Sequence, residues 1–545
     1  MVLWLLAVAS VFAQDWAIGL GGTGATSGTF PGENTVVATA SDASENVFAL
    51  IVFRGTLTLG STTYTAPGTS SSYNPKGVAL VKYSNTGSVL WSVPLSNADS
   101  KFLDAYKLAV DANGDAIIGG EYLPYYANGS AAELDFGGGK TVTKSYQIII
   151  AKYNGADGSC TFVKPFDVTE QSRPTRTLTV FGVDNANNIY LATMQQGGLV
   201  DEGSTLRKLD SNGDVVWTVN NGVGVQINIG AVDTNGNIVV QAGLGTSSVQ
   251  PSEFVLATQT FPYAYYGYSI LASFDDTGAL KWTKIFKNGG AVFSSALAID
   301  ATGNIYFIHG DNLNNASDSP YGILSDTGNG NYALVKLNAN GDLQNTVYRS
   351  YRNFNGMDRK IAINKSTGDV YLYQTYSAYS SNPPLVHGDL LYTGANNNAY
   401  LSILRYNSNL QETGGYFGIY STSLGLSYPL VQTTLTGKFI ISANIDMSGP
   451  TTVGSSQLTG TKNKDGFITL MPSPNFIQGV TTTWLGISTD WNSAGNWSNG
   501  VPTTDKKAVI PAGLSKYPTT FPASPTVGVF EVLPGVTLTA LPTDL

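Results

Sequence analysis

Two histidines, His309 and His387, are the whole imidazole inventory of the 545-residue chain, and each is followed two residues later by an aspartate, Asp311 and Asp389. An imidazole beside a carboxylate is the elementary general acid–base pair. No nucleophile spacing accompanies them, and the plainer reading of His309 is a hydrogen-bonded strand-end residue. A glycosidase needs two carboxylates about 5–10 Å apart across one bond. Asp311, Asp389, Glu121 and Glu253 are the candidates the chain offers. A different chemistry is suggested by tyrosines crowded into three stretches: Tyr125 and Tyr126 in EYLPYYANG (121–129), Tyr263, Tyr265 and Tyr266 in TFPYAYYGYS (260–269), Tyr376 and Tyr379 in YQTYSAYSS (373–381). Flat amphipathic rings among Asn and Asp groups can stack on sugars or grip a protein; the plainer alternative packs loop against loop.

Metal and cofactor chemistry has little to stand on. Cys160 is the single cysteine, so no disulfide or Cys-based metal site can form within the chain. It reads as a buried, inert thiol. The acidic turns DANGD (111–115) and DSNGD (210–214) open like a calcium loop, but Gly falls at the fourth position and no Glu follows at the twelfth. They read as plain hairpin turns in which Asp accepts backbone N–H groups. No metal ligand set and no cofactor are assigned.

The elements that must position these residues are repeats. VDTNGNIVVQAG (232–243) returns as VDANGDAIIGG (110–120), VDNANNIYLAT (183–193) and IDATGNIYFIHG (299–310). Each copy is followed by a second phrase, such as LVKYSNTGSVLWSV (80–93), IAKYNGADGSCTFVK (150–164), LRKLDSNGDVVWTV (206–219) and LASFDDTGALKWTK (271–284). The turn glycines Gly87, Gly158, Gly213, Gly278 and Gly341 step by 71, 55, 65 and 63 residues. Each phrase is a β-rich run, an Asn/Asp/Gly turn needing positive φ, and a second run, which predicts a hairpin. Two hairpins make a four-stranded unit, strands a to d, and a period near 65 suits a propeller blade.

Seven such units are predicted, with a–b turns near Asp42, Asp111, Asp184, Asp233, Asp300, Asn364 and Thr436. Trp91, Phe162, Trp217 and Trp282 each lie four residues past a turn Gly, which predicts aromatics packed between neighbouring blades. The seventh unit stops after strand c, DGFITLMPSP (465–474), whereas DWAIGLGG (15–22) reads as an orphan strand d. The N-terminal strand is therefore expected to complete the last blade and close the ring, removing open sheet edges. The predicted fold is an all-β, seven-bladed β-propeller over residues 14–472.

These phrases resemble the secreted bacterial β-propeller repeat, whose hallmark is an Asp-x-x-Gly-Asn-x-Tyr-x-x-Gly hairpin; DATGNIYFIHG (300–310) is the nearest copy. Residues 473–545 differ. TTWLGISTDWNSAGNWSNGVPTTDKKAVIPAG (482–513) resembles a Trp-rich module of secreted bacterial surface proteins, matched at Trp484, Asp490, Trp491, Asn492, Asn496, Trp497 and Pro502. The resemblance implies a small β-rich, often solenoid-like segment. The Trp cluster could form a sugar platform, but a small core is the preferred reading, and FEVLPGVTLTAL (530–541) reads as one more hairpin. The chain is read as an incomplete module at this end.

Composition narrows the partners. Charged residues are 12% and net charge is −9, with no basic run, which excludes a phosphate-backbone binder. Residues 1–13, an apolar run ending in Val11-Phe12-Ala13, read as an export signal too short to span a bilayer. The expected molecule is a monomeric, secreted or outer-surface binding propeller. Its ligand is a glycan or extracellular protein on the face carrying the long b–c connections (122–145, 244–268, 310–330, 375–398). A carbohydrate-active hydrolase or lyase and a structural spacer are the alternatives.

Overall fold

The computed structural model describes residues 16–20, 34–66, 76–95, 103–122, 133–143, 146–169, 175–196, 203–244, 253–262, 268–286, 296–309, 332–349, 359–377, 385–387, 390–392, 399–421, 427–445, 451–453, 456–458, 465–472, 480–498, 500–503, 506–519, 529–532, 536 and 538. Seven four-stranded antiparallel sheets form a ring, a seven-bladed β-propeller. In each blade strand a is innermost and strand d outermost. The inner strands are Thr35–Ser41, Leu103–Val110, Thr175–Val183, Val225–Val232, Leu297–Ile299, Lys360–Ile363 and Ser427–Thr433. Each touches the next around the axis, and the seventh touches the first.

The ring closes with the N-terminal strand. Trp16–Gly19 pairs antiparallel with Asp465–Met471, Trp16 opposite Leu470 and Gly19 opposite Phe467. Thr469 Oγ1 donates to the Trp16 carbonyl at 2.7 Å. The seventh sheet thus has the order expected of a blade sewn from both ends of the chain.

Repetition in sequence becomes repetition in contacts. In the a–b turns one Asp oxygen accepts two backbone N–H groups, two and four residues on; Asp111 takes those of Asn113 and Asp115, both at 3.0 Å. Asp233 takes those of Asn235 and Asn237 at 2.9 and 2.8 Å. These are structural turns, as the sequence predicts.

The c–d turns receive the neighbouring blade. Trp91 Nε1 donates to Gly155 O at 3.0 Å, Trp217 Nε1 to Asp276 O at 2.9 Å and Trp282 Nε1 to Ala339 O at 3.0 Å. The ring of each aromatic lies on the turn glycine. A Cβ at Gly158 would stand 2.7 Å from Trp91, at Gly213 2.8 Å from Phe162, and at Gly341 2.9 Å from Trp282. These glycines also hold φ between 75° and 81°, so both backbone shape and space demand the residue.

A lysine on strand c reinforces the same joint. Lys82 Nζ lies 2.9 Å from Asp42 Oδ2 and 2.9 Å from Gly155 O. Lys152 Nζ lies 2.7 Å from Asp111 Oδ2 and 3.2 Å from Asp115 Oδ2. Lys208 and Lys336 donate to Asp276 O (3.1 Å) and Ser408 O (2.7 Å) of the following blades. Buried charge is tolerated here because each ammonium meets a carboxylate, a carbonyl or both.

The C-terminal segment builds a separate small sheet. Val480–Thr483, Lys506–Ile510 and Val529–Val532 pair in parallel, in that order. Val529–Val532 therefore joins a parallel sheet, whereas the sequence predicts its first strand residues in a hairpin; residues 533–535, 537 and 539–541 lie outside the described residues. Trp484, Trp491 and Trp497 are buried, with Trp497 edge-on to the other two at 5.0 and 4.7 Å. The Trp cluster is a core, not an exposed platform. Asn496 ties the loop over it, donating to Asp490 O at 2.7 Å and accepting from Ser488 N–H at 2.6 Å.

Candidate functional site

The long b–c connections are partly occupied by a second kind of hairpin, which the sequence reading treated as loop. Thr56–Leu59 pairs with Thr62–Thr65, Glu133–Asp135 with Thr141–Thr143, and Glu253–Leu256 with Gln259–Pro262. Leu385–His387 pairs with Leu390–Tyr392, and Thr451–Val453 with Ser456–Leu458. In the four hairpins other than that of Leu385–His387, inward side chains are buried, among them Leu57, Leu134, Phe254 and Val453. Backbone bonds fasten one of them: Gly222 N–H donates to Val255 O at 2.7 Å. The missed signal is a recurring pair of apolar residues two apart before a short turn, as Leu57 and Leu59 in TLTLGSTTYT (56–65).

The predicted site residues fall as follows. Tyr125, Tyr126, Tyr263, Tyr265, Tyr266, Asp311, Tyr379 and Asp389 lie outside the described residues. Tyr376 is in strand b of blade 6, Val370–Ser377, and His387 ends the hairpin strand Leu385–His387; their side chains lie outside the described set. Glu253 is exposed on the hairpin of blade 4. Glu121 is buried at the end of strand b of blade 2. These two carboxylates sit two blades apart, one buried and one exposed, and do not make the facing pair of a glycosidase.

His309 ends strand b of blade 5 and is 1% exposed. Its ring stands edge-on to Phe286 of blade 4, 5.2 Å between centroids, so it belongs to the packing between blades. Neither ring nitrogen has a hydrogen-bond partner among the described residues, unlike the hydrogen-bonded residue the sequence suggests. Burial lowers its pKa to about 4, which leaves the imidazole neutral at pH 7. Cys160 is likewise buried, its thiol pushed up to about 11, chiefly by burial. It is inert at neutral pH.

The axial channel holds groups that sequence reasoning missed. Five of the seven inner strands carry a bulge: Val36/Ala38, Ala105/Lys107, Leu178/Val180, Ile227/Ile229 and Ser427/Leu430. Bulges re-aim side chains near sites. In blade 2 the bulge carries Tyr106 beside Lys107. The Tyr106 hydroxyl donates to Glu121 Oε1 and accepts the Leu178 N–H at 2.9 Å. Glu121 is thereby fixed by its neighbours, and the Lys107 ammonium lies 5.6 Å from the Tyr106 ring centroid.

Lys107 makes no ion pair or hydrogen bond among the described residues. Burial holds its amine below the ordinary lysine range, and the charge of Lys360 pushes the same way, while Glu121 opposes them. Lys360 occupies the matching position of blade 6, four residues before the a–b turn residue Asn364, as Lys107 stands four before Asp111. Blades 2 and 6 face each other across a seven-membered ring. Two lysines therefore share the axis, and Lys360 also donates to Pro429 O at 3.4 Å. Such a pair repels itself and attracts an anion, more strongly in a narrow low-dielectric channel than at an open surface.

The class the fold defines is a seven-bladed β-propeller. No family model matches the chain, and no curated protein matches it. Among solved structures it is similar to a protein of unknown function from Dyadobacter fermentans DSM 18053, at 10% identity and TM-score 0.36, covering 68% of this chain and 95% of that one. It is also similar to an exotype rhamnogalacturonan lyase, at 12% identity and TM-score 0.38, covering 84% and 76%. Neither likeness carries a function to this chain. No helix among the described residues is long and apolar enough to cross a membrane.

Proposed function

We propose that this propeller is a non-enzymatic binding protein of the cell exterior that takes an acidic glycan on its long-loop face. A ligand carboxylate enters the axial channel between Lys107 and Lys360. The observation that carries the reading is Lys107: a partly open ammonium with no ion pair among the described residues, on which the charge of Lys360 acts. A single bound carboxylate relieves that repulsion. The apolar run of residues 1–13, read as an export signal, and the tyrosine-rich sequences 121–129, 260–269 and 373–381 support the setting. The test is calorimetric titration with uronic-acid oligosaccharides against neutral oligosaccharides of equal length. Binding of the acidic series alone, lost in Lys107→Met, is the expected result. Equal binding of both series, or no effect of the substitution, rejects it.

The lowered amine favours one other reading, a carbohydrate-active lyase in which Lys107 abstracts a proton beside the ligand carboxylate, with the Tyr106 hydroxyl as its neighbour. Appearance of an unsaturated sugar product, absorbing in the near ultraviolet and absent in Lys107→Met, would select it over simple binding.

A further inference from the structure

The joint between blades 4 and 5 lacks the lysine that blades 1, 2, 3 and 5 carry on strand c; blade 6 has Arg405 at that position and blade 7 has Leu470, opposite Trp16. On strand c the residue opposite the d-strand aromatic is Lys82 opposite Trp91, Lys152 opposite Phe162 and Lys208 opposite Trp217. In blade 5 it is Lys336, opposite Asn345. In blade 4 it is Ser273, opposite Trp282. Serine ends at its Oγ and cannot reach the turn of the next blade.

The groups that receive an ammonium elsewhere are nevertheless kept. Asp233 stands where Asp42 and Asp111 bind Lys82 and Lys152. Among the described residues its Oδ2 accepts only Asn237 Nδ2, at 2.8 Å. In blades 3 and 5 a tyrosine hydroxyl also reaches this oxygen, Tyr190 to Asp184 at 2.9 Å and Tyr306 to Asp300 at 3.0 Å. Blade 4 has Val239 at that place. Across the joint, Ala339 O accepts Trp282 Nε1 alone among the described residues, whereas Asp276 O and Gly155 O each accept both an indole and a lysine.

Between these groups lies a cavity of about 120 Å³, lined by Asp233, Asn237, Ser273, Thr302 and Ala339, with Val239 and Ile305 among its apolar walls. It opens on the face of the short turns, opposite the long-loop face. Lys281 stands at its edge and makes no ion pair with Asp233; its charge acts on Asp275.

We propose that this cavity is a binding site for a primary alkylammonium group, the chemistry of a lysine side chain supplied from outside the blade. One carboxylate, one carbonyl and a hydroxyl suit a singly charged, three-donor head. The apolar walls suit its methylenes. No cluster of three His, Cys, Asp or Glu side chains stands among the described residues to favour a metal ion. The group could come from a free amine or from a lysine of a peptide, and the two share one recognition.

The test uses the full chain labelled with 5-fluorotryptophan, the Trp282 signal being assigned by Trp282→Phe. Trp282 donates to Ala339 O, so its resonance reports the cavity. Titration with n-butylamine at pH 7 should shift that signal saturably; n-butanol, tetramethylammonium and potassium chloride should not. Ser273→Lys should abolish the shift and raise Tm, because it supplies the ammonium from within. No shift with butylamine, an equal shift with butanol or potassium, or amine binding that survives in Ser273→Lys overturns the proposal. Tighter binding of Nα-acetyl-lysine methylamide than of butylamine assigns a peptide source, and the reverse a free amine. Asp233→Asn should weaken the amine at least tenfold; the lysine variant keeps the test decisive if the turn itself is disturbed.

Discussion

The Trp16 indole donates to the carbonyl of Asn85 at 3.2 Å, and its ring covers Gly87, where a Cβ would stand 2.7 Å away. This is the joint that Trp91 makes with Gly155 and Gly158. The first strand of the chain is thus bonded as the outer strand of the last blade, by the same rule as the internal strands.

Trp16→Ala should cost roughly 3–5 kcal/mol, the usual loss for a buried aromatic truncation. Gly87→Ala should also destabilise, since φ there is 87° and the ring stands in the way. The double variant should lose less than the sum, because both changes break one contact. Denaturant titrations of the four proteins measure this; additive losses would show that the two residues are not coupled.

Lys152→Met should destabilise by roughly 3–5 kcal/mol, since it leaves two carboxylates, Asp111 and Asp115, without their cation. Burial alone would lower the Lys152 amine, but hydrogen bonds to Asp111 and Asp115 outweigh it and raise it. A raised folded-state value means that this stability is complete below pH 10.5 and lost as pH climbs through the higher value. The alkaline limb of the stability curve should therefore be shallower in Lys152→Met.

His309 gives an acid limb of opposite origin. Its pKa is about 4 in the fold against an ordinary 6.5. The unfolded chain takes up the proton first as pH falls, so stability is full above pH 6.5 and declines until about pH 4. The decline amounts to about 3 kcal/mol. His309→Leu should remove one proton from the acid dependence. An unchanged slope between pH 6.5 and 4 would mean the imidazole is not held neutral.

Lys107→Met should raise Tm while abolishing uptake of the acidic ligand. Burial and Lys360 both disfavour the charged amine in the fold, so removing it relieves that cost. A residue that weakens the fold and strengthens binding is the signature of a functional site. A lower Tm in the variant would mark Lys107 as structural.

Much of the ring could be read before any coordinates because its contacts repeat. The turn Asp, the turn Gly and the aromatic four residues later are each dictated by short-range geometry, so their spacing survives in the chain. The lysine of LVKY, IAKY, LRKL and LVKL, and its change in LASF, stood in the same phrases. Its meaning needed the neighbouring blade's carbonyl, which no local pattern supplies. Lys107 and Lys360 were illegible for a further reason. Each is a lone lysine on an ordinary strand, and only the curvature of seven blades brings them to one axis. His309 was visible as a residue, but its position on Phe286 depends on packing between blades 4 and 5.

The clasp between Trp16 and Leu470 joins residues about 450 positions apart, Thr469 and Trp16 being separated by 453. A ribosome adds about 5–20 residues per second, so the opening strand waits roughly 20 to 90 s for its partner to emerge. Through that interval six blades can form while one apolar ribbon stays unmatched. Whatever handles the nascent chain must shield that ribbon, and a translational pause before residue 465 would lengthen its exposure.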